Sequence, residues 1–547
     1  MIVGRRRQKM SGSVSSSGSR RLILAAMIFA VAMTFIDQTI VSIAAPQIQA
    51  ELGLTDTGVQ WAINAYLLAL AALFAFGGRL SDIVGHRPMV ILGVVVFAAA
   101  SAMCGLTPKG SAAEAWLIAF RALQGAGGAI MYPAALAIVV SSYALHERGK
   151  ALALFFGIAG GLTAIGPILG GWLTQWTWRA IFWVNIPVAI VALVLIAVSK
   201  PRTPHRPAPM DYRGLVLIVA GVGLSVFGFQ QSNLWGWHSP AIWLCIIVGL
   251  LLLVVFVLVE RRTPAPLLNV RHFRNRAFRV ENIVLGVSMA AFVPVFFFTS
   301  VYAEVALGKN ASKASLDLLY FFLGFVVAAQ IGGRMLDRVG AKRPVVLGCA
   351  LACVGFFLWA GRVTALDESR IVWWIVVSGA GLGLMLGQAN TDAVNRVPQL
   401  SYGEATGITQ TIRNYGSSLG LAVLGTLYSS TLQTRLTQAL TGQGLSHAAA
   451  SQQAAQISRL GAGSSGGTAS APQFVRLAVA EATRSVLIGM GVIMAVACGI
   501  ALLGLRRGKQ TELPAEDDEA VADQAGPAPV ADDGRAGERP SRYRRSS

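Results

Sequence analysis

GGRLSDIVGHR (Gly77–Arg87) joins two long apolar runs, and GGRMLDRVGAKR (Gly332–Arg343) repeats nearly the same turn between two more. Gly78 to Pro88 aligns with Gly333 to Pro344, the second copy carrying one extra residue. A charged, glycine-bearing turn at matching places in two halves points to a polytopic membrane protein built by duplication. Each residue type has a physical use there. Gly78 lets neighbouring helices approach closely. Asp82 and Asp337, near the ends of their helices, can pair with a base or face the start of another helix. Gly85 and Gly340 permit a tight turn. Arg87 and Pro88 open the next helix, where proline suits the first turn.

The rest of the chain fits that reading. Of its 547 residues, 54% are hydrophobic and 13% charged, against roughly 25% charged in soluble domains. Mean hydropathy is +0.60. A net charge of +19 would suggest nucleic acid in a soluble protein. Here most Lys and Arg lie in short loops and tails, which argues against a nucleic-acid partner and for cytoplasmic retention of those loops beside a lipid bilayer. The five cysteines (Cys104, Cys245, Cys349, Cys353, Cys498) all sit in apolar runs with no metal or pairing framework.

A span needs about 20 mostly apolar residues. That rule predicts about fourteen helices, near 22–46, 58–78, 88–106, 113–140, 150–172, 179–199, 213–231, 241–259, 279–300, 316–336, 344–361, 371–391, 404–429 and 484–505. The expected organisation is all-α. A disordered basic N-terminus (1–21) precedes a six-helix bundle (22–199). An extra helix pair with linkers (200–278) leads to a second six-helix bundle (279–505). Within the latter, 433–473 is expected as a flexible external loop with some helix, and 506–547 is expected as a disordered tail. Leu22–Pro46 is too long for a signal-peptide core of about 7–15 residues and reads as a retained helix. Basic residues concentrate in alternate loops (His86 and Arg87; His146, Arg148 and Lys150; Lys200 to Arg206; Arg261 to Arg279; Arg338 to Arg343). This predicts both termini in the cytoplasm.

Ionisable residues at depth in a span are functional candidates, because burying them costs a few kcal/mol or more. Asp37 lies about nine residues from the external end of its helix, roughly 13 Å. Arg121 lies about eight residues from the same side of its own, roughly 12 Å. The depths agree, which makes an interaction between them available, directly or through water. Arg413 lies about nine residues from the cytoplasmic end of its helix, with structural and coupling roles both open. Asp317, one turn inside the outer face, is either a second cation or proton site or a partner of Lys313 one turn earlier. Glu281, Glu304 and Asp392 lie near span ends and are expected to be solvated or structural. Trp61, Asn64, Tyr66, Gln230, Gln330 and Gln388 are the aromatic and amide candidates for a cargo pocket.

The turn Gly77–Arg87 resembles the loop signature of the major facilitator superfamily, G-x-L-[AS]-D-x-x-G-[RKH]-[RK]. Gly78, Leu80, Asp82, Gly85, His86 and Arg87 match it, with Ile83 where a basic residue is usual. The resemblance implies that the turn gates the cytoplasmic side between the halves. GIAGGLTAIGPILGG places Gly157, Gly161, Gly166, Pro167, Gly170 and Gly171 along one small-residue face. It is similar to the fifth-helix motif of drug:proton antiporters, which implies export rather than uptake. WRAIFWVNIP (Trp178–Pro187) resembles a run of the fourteen-span branch. FIDQTIVSIAAP (Phe35–Pro46) is like D-x-T-[IV]-V-N-x-A-L-P, with Ser42 and Ala45 departing from it. AFRALQGAGGA (Ala119–Ala129) is like R-x-x-Q-G-x-G, through Arg121, Gln124, Gly125 and Gly128. QTIRNYG (Gln410–Gly416) resembles [NQ]-T-x-R-[QN]-x-G.

What these resemblances imply is a major facilitator fold, two six-helix bundles flanking two extra helices. The implied activity is proton-coupled efflux of amphipathic drugs or antibiotics, cations among them, by a monomer in the cell membrane that needs protons but no cofactor. Asp37 becomes a candidate proton or cation-drug site, with Arg121 and Gln124 beside it in the coupling machinery. The physical logic is competition, since burial favours a neutral carboxyl while an arginine or a cation favours the charged form. A structural ion pair fixing helix packing is the alternative. Two rival functions share parts of the pattern. A proton-coupled importer has the same architecture, and the Gly166–Pro167–Gly170–Gly171 motif weighs against it. A membrane-embedded enzyme needs clustered His, Asp or Glu, and the six histidines here are scattered.

Overall fold

The computed structural model describes residues 17–54, 56–201, 209–263, 266–309, 311–397, 402–461, 472–506 and 508. The first half comprises α1 (Ser17–Leu52), α2 (Asp56–Val84), α3 (His86–Gly105), α4 (Ala113–Ser142), α5 (Leu145–Leu173), the short α6 (Ala180–Trp183) and α7 (Asn185–Ser199). The extra pair is α8 (Tyr212–Trp235) and α9 (Pro240–Glu260). The second half comprises α10 (Arg276–Val301, ending in a π-turn at Tyr302–Ala306), α11 (Ala311–Val339), α12 (Lys342–Ala360), α13 (Val372–Asn395), α14 (Tyr402–Gly442), α15 (His447–Gly461) and α16 (Gln473–Gly504).

Among the described residues, twelve helices are long and apolar enough to cross a membrane. Two more long helices, α5 and α14, lie where the halves meet. α14 carries Gln410, Arg413 and Asn414 in its first half, the expected cost of facing an interior rather than lipid. Local chemistry sets several ends. The Asp211 carboxylate accepts from Arg213 N at 2.9 Å and Gly214 N at 3.0 Å, capping α8. Asn275 caps α10 through Ala277 N at 3.0 Å. On α9, Leu244, Leu251, Val254 and Leu258 are exposed, a surface suited to hydrocarbon rather than water.

The duplication is visible in packing. α2 and α3 pack on α4 as α11 and α12 pack on α13; α1 packs on α5 as α10 packs on α14. In the α3–α4 contact a Cβ on Gly93 would lie 2.8 Å from Gly127 O, and in α12–α13 one on Gly348 would lie 2.6 Å from Gly381 O. Without hydrophobic driving force between helices in lipid, such close backbone approach supplies the dispersion contact that holds them. The halves join by an exchange, α2 against α14 and α5 against α11.

Three expectations need correction. Residues 17–21, expected as disordered tail, are the first turns of α1, where Arg20 Nη1 pairs with Glu147 at 2.9 Å. Residues 1–16, 507 and 509–547 of the expected tails lie outside the described residues. The expected external loop 433–473 is largely helix, the end of α14 plus α15, with 462–471 outside the described residues. Alanine and glutamine are good helix formers, and Leu432, Leu436 and Leu440 form a buried stripe beside the buried Ala450 and Ala454. The expected span 179–199 is interrupted at Val184.

Candidate functional site

Three helices bring the buried charges together. Arg121 of α4 donates from Nη1 to Asp37 Oδ2 of α1 at 2.5 Å and to Gln124 Oε1 at 2.7 Å. Its Nε donates to the Ala62 carbonyl of α2 at 2.9 Å. Gln124 Nε2 closes the ring by donating to Asp37 Oδ1 at 2.9 Å. The guanidinium stacks 4.5 Å from the Tyr66 ring centroid and lies 5.9 Å from that of Phe182. Asp37 and Gln124 are 0% exposed and Arg121 is 1% exposed. The spacing i, i+3 puts Arg121 and Gln124 on one face of α4. A charge pair this deep is tolerable only because both carboxylate oxygens and two arginine nitrogens are satisfied. Tyr66 Oη in turn donates to Thr34 O at 3.2 Å. Among the suggested pocket residues, Tyr66 belongs to this cluster as a wall, and the sequence carried no signal of the stacking.

The repeated turns make two reciprocal contacts between the halves. Asp82 Oδ1 accepts from Gly403 N at 2.9 Å and Oδ2 from Glu404 N at 2.6 Å, so the α2 carboxylate caps the start of α14. Asp337 Oδ1 accepts from Gly149 N at 3.1 Å, so the α11 carboxylate meets the first turns of α5. Helix starts expose amide donors and partial positive charge, and a carboxylate there answers both. Gly78 sits where α2 meets α14, and a Cβ there would be 3.1 Å from Gly407 Cα. Gly85 (φ 109) and Gly340 (φ 82) adopt backbone that L side chains rarely take. The base at Asp82 is His86, Nε2 to Oδ1 at 3.0 Å, while Arg87 is half-buried in the next turn. Arg148 of α5 adds Nη1 bonds to Asn395 Oδ1 at 3.1 Å and Tyr402 Oη at 2.9 Å. The molecule is therefore latched shut between its halves at this end.

Glu404 extends the latch in a way the sequence did not suggest. It is 1% exposed, pairs with Arg79 Nη1 at 3.5 Å and accepts from Asn269 N in the linker after α9. His272 Nε2 lies 3.6 Å away. Burial and the charge of Arg79 press His272 down to about 4, so it stands there as a neutral ring.

On the glycine-rich α5, a Cβ on Gly157 would lie 3.7 Å from Gln330 Nε2 of α11 and one on Gly166 would lie 3.0 Å from Ile36 O of α1. The helix thus touches the Asp37 helix and the other half through glycines nine residues apart on opposite faces, so the single small-residue face expected from the sequence is in fact two. Gly170 is buried and Gly171 half-buried. Gly161 and Pro167 lie in α5, but their surroundings fall outside the described residues. The Trp178–Asn185 run acts as a clamp. Trp178 Nε1 and Arg179 Nη1 donate to Glu51 at 2.8 and 2.6 Å, and Asn185 Nδ2 donates to Ser101 Oγ at 3.0 Å.

The other candidates stand apart from the Asp37 cluster. Arg413 lies 5.8 Å from the Phe156 ring centroid, with its Nη2 4.0 Å from Met289 Sδ and Tyr132 beside it; among the described residues no carboxylate pairs with it. Asp317 is bound by Lys309 Nζ at 2.8 and 3.0 Å, and Lys309 also reaches Glu368 at 2.8 Å. The side chain of Lys313 lies outside the described residues. Burial pulls the Lys309 ammonium down, but its bonds to Asp317 and Glu368 outweigh this and hold it above the usual lysine range. Glu281 corrects an expectation of solvation. It is 0% exposed, neither carboxylate oxygen has a hydrogen-bond partner among the described residues, and its charged neighbours are Asp392 and Arg396. Asp392, likewise buried, binds Arg396 at 3.1 and 3.3 Å.

Comparison with known proteins agrees with this architecture. Residues 27–216 and 212–421 match the family model described as Major Facilitator Superfamily. The chain is 32% identical to the tetracenomycin C resistance and export protein of Streptomyces glaucescens, over 74% of this chain and 76% of that protein. It is 33% identical to the cephamycin export protein CmcT of Amycolatopsis lactamdurans, over 76% and 86%, and 32% identical to the puromycin resistance protein pur8 of Streptomyces alboniger, over 74% and 80%. In fold it is similar to the proton:xylose symporter XylE (TM-score 0.58, 13% identity, 92% of this chain and 99% of that one). The human organic anion transporter MFSD10 gives a TM-score of 0.58 at 11% identity, over 88% and 99%.

Proposed function

The chain belongs to the Major Facilitator Superfamily and is a multi-span membrane transporter of small molecules rather than an enzyme, and we propose that it exports amphipathic drugs or antibiotics, cations among them, in exchange for protons. Its relatives include proteins named for export of, or resistance to, three different antibiotics, which supports efflux over uptake. The observation that carries the coupling is the sealed Asp37–Arg121–Gln124 ring, a carboxylate at depth whose charge state decides how firmly α1 is tied to α4.

With Asp37 ionised, Arg121 and Gln124 bind it and α1 is held. A proton on Asp37 removes the charge that Arg121 answers. Arg121 keeps Ala62 O and Gln124 Oε1, so its own charge is not stranded while α1 is released. α1 packs along α5, and α5 begins under Asp337 of the other half. That gives the proton a physical route to the latch. Opening of the cytoplasmic side breaks the Asp82 and Asp337 contacts, and closing restores them. A cationic cargo near Asp37 competes with the proton for the same negative charge, so protonation from outside expels it outward. We place the chain in the cell membrane with both termini in the cytoplasm, an orientation supported by the basic loops that carry the latch.

Everted vesicles containing the chain test this reading. With the vesicle interior made acidic, ethidium or puromycin accumulates and a protonophore abolishes the accumulation, while Asp37→Asn inserts normally and accumulates neither. Flux unaffected by the protonophore, or a cargo recovered chemically altered by mass spectrometry, contradicts it.

A further inference from the structure

The extra helix pair leaves a groove in the side of the molecule. α8 leans on α2 and α14, and between α9, α10 and α14 lies a cavity of about 830 Å³. Leu250 and Val257 of α9, Ile283 of α10, and Ile412 and Val423 of α14 line it. Leu250, Ile283 and Val423 are exposed, so the groove opens sideways to the bilayer, while Ala75 of α2 and Ile408 of α14 put its inner wall at the seam between the halves. Among the described residues Arg261, at the end of α9, is its one charged lining residue. The adjacent Glu260 does not neutralise it. Glu260 is 3% exposed and turned inward, accepting from Leu268 N at 3.4 Å.

Two further facts say what fits. Leu250 to Arg261 spans eleven residues, roughly 16 Å at 1.5 Å per residue, which matches half of a hydrocarbon core about 30 Å thick. The segment Arg261–Arg279 carries six arginines and no Asp or Glu. Clusters of this density beside a membrane helix attract anionic lipid headgroups. A ligand with one leaflet's length of apolar body and a negative head satisfies both.

We propose that this groove binds one anionic phospholipid from the leaflet facing Arg261–Arg279, with acyl chain along α9 and α14 and phosphate on Arg261. Binding there ties the extra pair to α10 and α14 of the second half. It thereby gives that pair a role as a lipid-filled wedge beside the moving seam.

Native mass spectrometry of the full chain in detergent, titrated separately with palmitoyl-oleoyl phosphatidylglycerol and phosphatidylcholine, tests this. The wild type retains phosphatidylglycerol several-fold more than phosphatidylcholine. Arg261→Gln loses that preference while keeping the phosphatidylcholine level. Val423→Trp, which fills the groove from an exposed position, lowers retention of both without lowering Tm. Equal retention of the two lipids by wild type, or an undiminished preference in Arg261→Gln, overturns the proposal. So does a groove that Val423→Trp empties of ethidium or puromycin but not of lipid, since that marks a cargo portal.

Discussion

Arg121 is held by three acceptors from three helices, Asp37, Gln124 and the Ala62 carbonyl. Removing it leaves a buried carboxylate with only an amide for company. Loss of one partner from a buried pair costs about 3–5 kcal/mol, so Arg121→Ala is expected to lower Tm steeply and to reduce the amount of folded protein recovered. Gln124→Ala removes neutral bonds and should cost about 1–3 kcal/mol; equal damage from both would show that the charge pair is not what matters. Glu281 predicts the opposite behaviour. Among the described residues no donor reaches its carboxylate, which instead lies beside the Asp392 carboxyl, so Glu281→Gln should match or exceed the wild-type Tm, and a drop of several degrees would mean that its charge is needed. Counting residues from span ends placed Asp37 and Arg121 at one level, because rise per residue is fixed. The same counting misread Glu281, since depth says nothing about which way a helix face turns. It left Asp317 open between a second cation or proton site and a pairing with Lys313; the structure brings Lys309 to it through a turn whose path no periodicity describes, and the Lys313 side chain lies outside the described residues.

Each latch between the halves is one carboxylate against one helix start. Asp82→Asn keeps the shape but donates where it should accept, and hydrogen bonds to charged groups contribute about 1.5–3 kcal/mol. It should favour the cytoplasm-open form by roughly tenfold, since about 1.4 kcal/mol is a factor of ten. In a cysteine-free background, maleimide labelling of Thr409→Cys, a position fully buried beside the latch, should then accelerate from the cytoplasmic side; an unchanged rate removes Asp82 from gating. At the far end, Glu51 stands in the last turn of α1, beyond the apolar span Gly18–Val41. The hydrogen bond from Arg179 holds its carboxyl below the ordinary 4.5. Its stabilisation is full above that value and is lost as pH falls through the lower folded value. At this partly exposed site it is at most about 1 kcal/mol. Glu51→Gln should therefore have a slightly lower Tm than wild type near pH 7, with the gap closing toward pH 3; a constant gap would argue for packing instead. The paired turns were legible in sequence because glycine and aspartate have few other reasons to recur at those places. Their targets, the starts of α5 and α14, were not, because each lies in the opposite half.

Across the whole molecule, duplication gives two similar bundles, but the charges are not duplicated. The first half holds a sealed Asp–Arg–Gln ring, whereas Arg413 in the second faces Phe156 and Met289 without a described counter-charge. Span length and apolar content made the two-bundle plan readable, since lipid demands helices that satisfy their own backbone. The helical end of α14 and the folding of α15 against it were hidden by a polar composition whose buried leucine stripe is short. Coupling is the claim on which the rest depends, and transport by purified chain in liposomes under an imposed pH difference measures it most directly. Wild type should accumulate ethidium or puromycin against its gradient, whereas Asp37→Asn, inserted at the wild-type level, should accumulate none. Uphill accumulation by Asp37→Asn at the wild-type rate would contradict the account.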